Sequence, residues 1–92
     1  MVTKTTAAKS LMYQVAKAME EGQEVIAEVS MAKNVASETA LEVTHEAVQI
    51  FGGMGYMRET LVERLSRDAR LLPIGGGTSE IMREIISKRL GF

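Results

Sequence analysis

Three consecutive glycines, Gly75–Gly77, stand directly before a segment that begins with Thr78, Ser79 and Glu80. Backbone without side chains leaves room for a ligand, and the free N–H groups at the start of a helix attract an acceptor atom or an anion. Thr78 is a natural N-cap for such a helix. The spacing matches neither a Walker loop nor a strand-linked dinucleotide fingerprint. From the spacing alone, a flexible turn followed by an ordinary helix cap is therefore the favoured interpretation.

A second glycine-containing segment reads Gln49-Ile50-Phe51-Gly52-Gly53. The glycines would let another backbone or a diphosphate come close, and the Gln49 side chain offers an amide. The alternative is an amphipathic helix that ends at its glycines. From the residues alone, the helix end is the favoured interpretation.

Other reactive groups are scarce. The chain has no cysteine, which excludes disulfides, thiolate metal sites and a cysteine nucleophile. The single histidine, His45, is interpreted as a surface or interface residue, so no metal site is predicted. No pair of carboxylates and no nucleophile–base pair is evident. The residues alone therefore describe a helical module with two glycine-rich helix ends.

Composition narrows the class of protein. A chain of 92 residues makes a single domain, residues 1–92. Eleven basic and twelve acidic residues give a net charge of -1, which favours neither nucleic acid nor an anionic membrane as a partner. No apolar run approaches the roughly 20 residues of a membrane span, and the N-terminus lacks the apolar core of a signal peptide. We expect a soluble protein of the cytoplasm, or of the mitochondrial matrix in a eukaryote.

Helical periodicity runs through most of the chain. It predicts helices from about Thr5 to Glu21, from about Val25 to Phe51 and from Leu61 to Ala69, followed by a last helix that Thr78 caps and Gly91 closes. The stretch from Met54 to Thr60 is predicted to be a connector. No strand pattern is present, so the fold class is all-α.

The second helix carries an apolar seam of small residues, which would let a partner helix approach closely. The seam consists of Val25, Val29, Ala32, Ala36, Thr39, Val43, Ala47 and Ile50. Charged residues off this seam are expected to be solvated or paired across an interface, namely Glu28, Lys33, Glu38, Glu42 and Glu46.

The order of three segments closely resembles the C-terminal helical domain of the FAD-dependent acyl-CoA dehydrogenases. These are Gln49–Gly53, the charged stretch Val62–Arg70 and the run Ile74–Ile81. The resemblance covers nearly the whole chain, and Ser30–Lys33 is similar to the family's long bundle helix. It implies an incomplete four-helix bundle with two long antiparallel helices, a short helix and a final helix.

The resemblance also implies a cofactor, a reaction and site residues. Family members remove hydrogens from the α and β carbons of an acyl-CoA thioester: a glutamate takes the α proton, and FAD takes the β hydride. The segment that would reach the adenosine diphosphate part of a neighbouring subunit's FAD is Gln49, Ile50, Phe51, Gly52 and Gly53. Flavin contacts would come from Thr78, Ser79 and Glu80, and Gly77 would border the substrate.

Gly76 occupies the position at which many family members carry the catalytic glutamate, so no catalytic residue is predicted in this chain. This resembles the branch with isovaleryl- and long-chain-type enzymes, whose base comes from an earlier helix. The family's N-terminal helical domain and central β domain, which hold most of the FAD and acyl-CoA, have no counterpart in these 92 residues. We therefore expect the isolated chain to be inactive and to hold FAD weakly.

Two functional hypotheses follow. The first is a C-terminal domain fragment of an acyl-CoA dehydrogenase that contributes flavin contacts and the core of an oligomer. The alternative is a standalone helical self-association module without catalysis. In either case the seam of the second helix and the Leu11/Val15 and Ile81/Ile85 faces cannot all be covered within one chain. We expect a homodimer or larger assembly, as in the family, whose C-terminal domains meet at the centre of a tetramer.

Overall fold

The computed structural model describes residues 1–92 as five helices without a strand, which confirms the all-α prediction. The helices are α1 (Val2–Glu20), α2 (Ile26–Phe51), α3 (Gly53–Tyr56), α4 (Leu61–Ala69) and α5 (Ser79–Leu90). None of them combines the length and apolar character that crossing a membrane requires.

Helix α2 is the centre of the molecule. The other four helices all pack against it, whereas α1 contacts neither α4 nor α5. Two ion pairs show the helix directions: Lys4 pairs with Glu42 in the later part of α2, and Arg89 pairs with Glu24, which lies just before α2 begins. Because the start of α1 lies near the later part of α2, and the end of α5 near its beginning, both helices run antiparallel to α2.

Two faces of α2 are buried, because two helices pack on it from different sides. Val25 and Ala32 face α1 and form a small core with its Val15. The second face was not predicted. It is a stripe at spacings of three and four residues and consists of Ala27, Ser30, Asn34 and Ser37. Its small side chains leave room for α5 to approach, because the distance between helix axes depends on the side chains at the contact.

The seam and face predictions were only partly right. The Leu11/Val15 face of α1 is covered by α2. Val29, which the seam pattern placed at a helix contact, is 40% exposed. Ile81 on α5 is 47% exposed, so the chain does not cover all of these faces by itself.

The chain between α2 and α4 differs from the predicted connector. Helix α2 ends at Gly52, whose φ is 62°, but Gly53 then begins the single turn α3. This turn folds back so closely that a Cβ on Gly55 would lie 2.4 Å from the carbonyl oxygen of Val48. Only glycine fits at position 55, and its backbone therefore holds α3 against α2.

The core of this bundle is small. Eleven of the 92 residues are buried, and no large side chain is buried completely. Large apolar side chains lie on the surface of every long helix, including Met12, Tyr13, Met19, Ile50, Phe51, Leu61, Leu65 and Leu90. The bundle is therefore incomplete within one chain.

The contact between α1 and α2 predicts the effect of a larger side chain. Ala32→Leu should lower the free energy of unfolding by about 1–3 kcal/mol, because the core around Ala32 has no room for the added carbons. Ala16→Leu, at an exposed position of α1, is the matched control and should change stability by no more than about 0.5 kcal/mol. Urea unfolding followed by circular dichroism measures both. Equal midpoints for the two variants would show that α1 does not pack against Ala32.

Candidate functional site

The loop between α4 and α5 has an unusual backbone. It runs from Arg70 to Thr78 and is called the glycine loop below. Its backbone φ angles are 71° at Gly76 and 111° at Gly77. The Ser79 N–H donates to the carbonyl oxygen of Pro73 at 3.1 Å, which closes the loop at its base. The three glycines therefore form a defined turn.

Gly77 is the position of this loop that most needs glycine. A Cβ there would lie 2.4 Å from Cε of Met82, and its φ of 111° is one that side chains rarely adopt. At Gly76 the nearest atom to such a Cβ is Cε of Lys33, at 3.9 Å. Space is therefore available at position 76, where the backbone angle is the obstacle.

The start of α5 carries free hydrogen-bond donors. Thr78 caps the helix as predicted, because its Oγ1 accepts the N–H of Ile81 at 3.2 Å. The N–H groups of Thr78 and Glu80 donate to no acceptor within the chain. Both Thr78 and Ser79 are at least partly buried, while Glu80 is exposed. This helix end can therefore bind an acceptor oxygen of a ligand through its backbone.

Two neighbouring residues of α2 hold the glycine loop in place. The ammonium of Lys33 donates to the carbonyl oxygens of Leu72 at 2.9 Å and of Gly77 at 2.6 Å. Nδ2 of Asn34 donates to the carbonyl oxygen of Ser79 at 3.3 Å, while its buried Oδ1 has no partner. Sequence reasoning missed both residues, since Lys33 was expected to be solvated or paired across an interface. The ammonium is bound instead to backbone carbonyls of its own chain.

The second predicted segment, Gln49–Gly53, lies at the C-terminal end of α2. Ile50 and Phe51 are 70% and 54% exposed, and Gln49, Gly52 and Gly53 are exposed as well. Beside this end is an open groove of about 620 Å³ between α2, α3 and α4. Its lining includes Val48, Tyr56, Arg58, Glu63 and Arg67. The glycine ending of α2 is thus next to a surface hollow that the sequence did not reveal.

Two arginines line this groove, and they differ in their partners. Arg67 is held by Glu63, with Nε 2.6 Å from Oε1 and Nη2 3.2 Å from Oε2. This hydrogen bonding raises the pKa of Arg67 above its ordinary value. Arg58 forms no ion pair within the chain. Arg58 is therefore the groove's available cation for an anionic ligand.

The predicted site residues form two separate groups. Asn34 touches the start of α5, and Gln49 lies fifteen residues later on the same helix. At 1.5 Å per residue the two levels are about 22 Å apart along α2. A small ligand at one group cannot touch the other.

Neither group contains a cluster of metal-ligating side chains, and position 76 carries no side chain. The only side-chain atom within 4 Å of a Cβ placed at Gly76 belongs to Lys33, which is a cation. No three histidine, cysteine, aspartate or glutamate side chains converge in the chain. The arrangement can hold and orient a ligand through backbone donors, amides and one arginine.

Comparison with known proteins gives the relationships of the chain. The family described as acyl-CoA dehydrogenase, C-terminal domain, matches residues 1–91. An acyl-CoA dehydrogenase of Bacillus subtilis is 48% identical over 90 residues, covering 98% of this chain and 24% of that protein. A 3-(aryl)acrylate reductase of Clostridium sporogenes is 43% identical over 90 residues, with the same coverage.

Solved structures of acyl-CoA dehydrogenases show the same relationship. A probable acyl-CoA dehydrogenase of Mycobacterium abscessus superposes with a TM-score of 0.97 at 53% identity, covering 99% of this chain and 24% of that chain. Butyryl-CoA dehydrogenase of Megasphaera elsdenii gives 0.95 at 41% identity, covering 98% and 24%. The chain therefore spans about a quarter of the length of the relatives it matches.

The glycine loop predicts a ranking of alanine variants. Gly77→Ala should lower the free energy of unfolding by about 2–3 kcal/mol, because it combines a strained φ with the contact to Met82. Gly76→Ala should cost only about 1–2 kcal/mol, the penalty of a left-handed backbone alone. Gly53→Ala is the control, since a Cβ there meets nothing within 4 Å. Thermal unfolding measures the ranking, and a variant at Gly77 as stable as the one at Gly53 would contradict the described loop.

Proposed function

The chain belongs to the acyl-CoA dehydrogenase family through its C-terminal domain, and on this premise we propose that it forms the C-terminal helical wall of an FAD-dependent acyl-CoA dehydrogenase. The reaction would be the α,β-dehydrogenation of acyl-CoA thioesters. The observation that carries the proposal is the start of α5, where the N–H groups of Thr78 and Glu80 lack partners beside a side-chain-free loop.

The residues at the start of α5 suit a flavin neighbour. FAD would accept a hydride when bound, and this chain's share is to hold and orient it. Thr78, Ser79 and Glu80 would contact the flavin through the backbone donors and the exposed first turn of α5. Gly77 would border the acyl-CoA, because the absence of a side chain there leaves the approach open.

The C-terminal end of α2 would contact a second FAD molecule. Gln49, Ile50, Phe51, Gly52 and Gly53 would contact the adenosine diphosphate part of a neighbouring subunit's cofactor. The exposed glycines and the unpaired Arg58 in the adjoining groove favour a diphosphate ligand. The two groups lie about 22 Å apart along α2.

The chain would not provide the base of the reaction. Proton abstraction needs a basic group within hydrogen-bond reach of the substrate, and position 76 has no side chain. The base would then come from another part of the enzyme. By itself the chain would neither oxidise acyl-CoA nor retain FAD.

A chimera with a relative tests this proposal. Residues 1–92 would replace the matching quarter of the Bacillus subtilis acyl-CoA dehydrogenase, which is 48% identical over that region. We expect the chimera to retain FAD through gel filtration, because the chain presents the helix ends that the cofactor needs. The isolated chain is the control, and we expect it to lose FAD and to leave octanoyl-CoA unchanged. A chimera that assembles like its parent yet elutes without FAD would contradict the proposed flavin contacts.

Self-association is the second part of the proposal, and the uncovered apolar surface supports it. Met12, Tyr13 and Met19 on α1, and Ile81 and Leu90 on α5, are each at least 47% exposed. Burying one such side chain completely would contribute roughly 1.5–3 kcal/mol. This is large against a typical total stability of about 5–15 kcal/mol. Pairing with a second copy would recover part of this free energy, and it would also serve the alternative function of a helical self-association module.

We expect a homodimer or larger symmetric assembly at micromolar concentration. The exposed apolar surface should drive association, and the assembly should dissociate on dilution as mass action requires. Equilibrium sedimentation over a dilution series measures the mass. A monomer that unfolds cooperatively at every concentration would mean that the small core of one chain suffices.

A further inference from the structure

We propose that Lys33 is a positioning residue for the glycine loop: its ammonium binds the carbonyls at both ends of the loop and so directs the N–H group of Thr78 towards a ligand. This role rests on the proposed function, because the ligand is the flavin or the acyl-CoA of that site. Lys33 itself touches neither of them. It acts through the backbone of the loop.

The two hydrogen bonds of Lys33 join distant parts of the loop. Leu72 follows the end of α4, and Gly77 precedes the cap of α5. The nitrogen lies 2.9 Å and 2.6 Å from their carbonyl oxygens, and an ammonium has three donors with which to serve both. Between them the backbone has two glycines with positive φ, which on their own would leave many conformations open. The lysine therefore selects one of these conformations.

The hydrogen bond from Lys33 to the Gly77 carbonyl also fixes the direction of the Thr78 N–H, because both groups belong to one planar peptide group. In a trans peptide the C=O and the following N–H point in opposite directions. Because the Gly77 carbonyl points at Lys33 on α2, the N–H of Thr78 points away from α2. That N–H has no acceptor in the chain. It is therefore held ready for an acceptor oxygen, which both a flavin and a thioester possess.

Asn34 acts on the next part of the same backbone. Its amide nitrogen donates to the Ser79 carbonyl at 3.3 Å, and its other polar atom is buried without a partner. Leaving a buried acceptor unpaired costs about 1–3 kcal/mol, so Asn34 is a poor choice for stability alone. Lys33 and Asn34, which are adjacent on α2, thus donate to three backbone carbonyls before and at the start of α5. Both side chains serve to set where that helix begins.

Hydrogen–deuterium exchange on the full chain, without FAD or acyl-CoA, tests this inference. Lys33→Met keeps most of the aliphatic stem and removes the donors. We expect exchange of the Ser79 amide, which closes the loop, to rise about tenfold, the scale of losing hydrogen bonds from a charged group. Amides in the middle of α2 should change by less than about twofold. Lys9→Met, at an exposed position of α1, is the matched control and should change neither.

Lys33→Arg separates positioning from general stabilisation. It restores a charged donor, so the exchange rate of the Ser79 amide should return at least halfway to the original value on a logarithmic scale. Uniform acceleration of α1, α2 and α5 in Lys33→Met would overturn the proposal, because it would show a global loss of stability. An unchanged Ser79 rate would overturn it as well. Since no cofactor is present, these results are independent of whether the chimera binds FAD.

Discussion

Every part of this molecule depends on helix α2, because it is the only element against which all the other helices pack. Its two buried faces are lined mostly by small side chains such as Ala27, Ala32 and Ser37, which let α1 and α5 approach from different sides. The resulting core is small, and large apolar side chains stay at the surface. The same helix also positions both groups of candidate ligand-binding residues, one at its middle and one at its end.

Local signals in the sequence were sufficient for most of the fold. The bounds of α4 and the Thr78 cap of α5 follow from periodicity and capping chemistry, which act within a few residues. The role of Lys33 could not be predicted, because its partners lie 39 and 44 positions away and a lysine off the apolar seam usually faces solvent. The turn after Gly52 was missed for a similar reason: the glycine ends one helix, and the close approach of Gly55 to α2 starts another.

The candidate site was predicted as a set of residues, but their arrangement needed the structure. The segments Gln49–Gly53 and Thr78–Glu80 lie about 22 Å apart along α2, so they form two half-sites. This geometry suits the proposed function, in which one chain contributes to two cofactor molecules in an assembly. The self-association that the exposed apolar surface favours would bring each half-site to a neighbouring subunit.

The most direct test of this account is a crystal structure of the chimera, with this chain in place of the matching quarter of the Bacillus subtilis enzyme, grown with FAD. The account predicts that the start of α5 contacts the flavin of one FAD, while Gln49–Gly53 contacts the adenosine diphosphate of a different FAD molecule in the same assembly. If both segments contacted a single FAD, or if FAD were bound without touching either of them, the account of two half-sites on α2 would be contradicted.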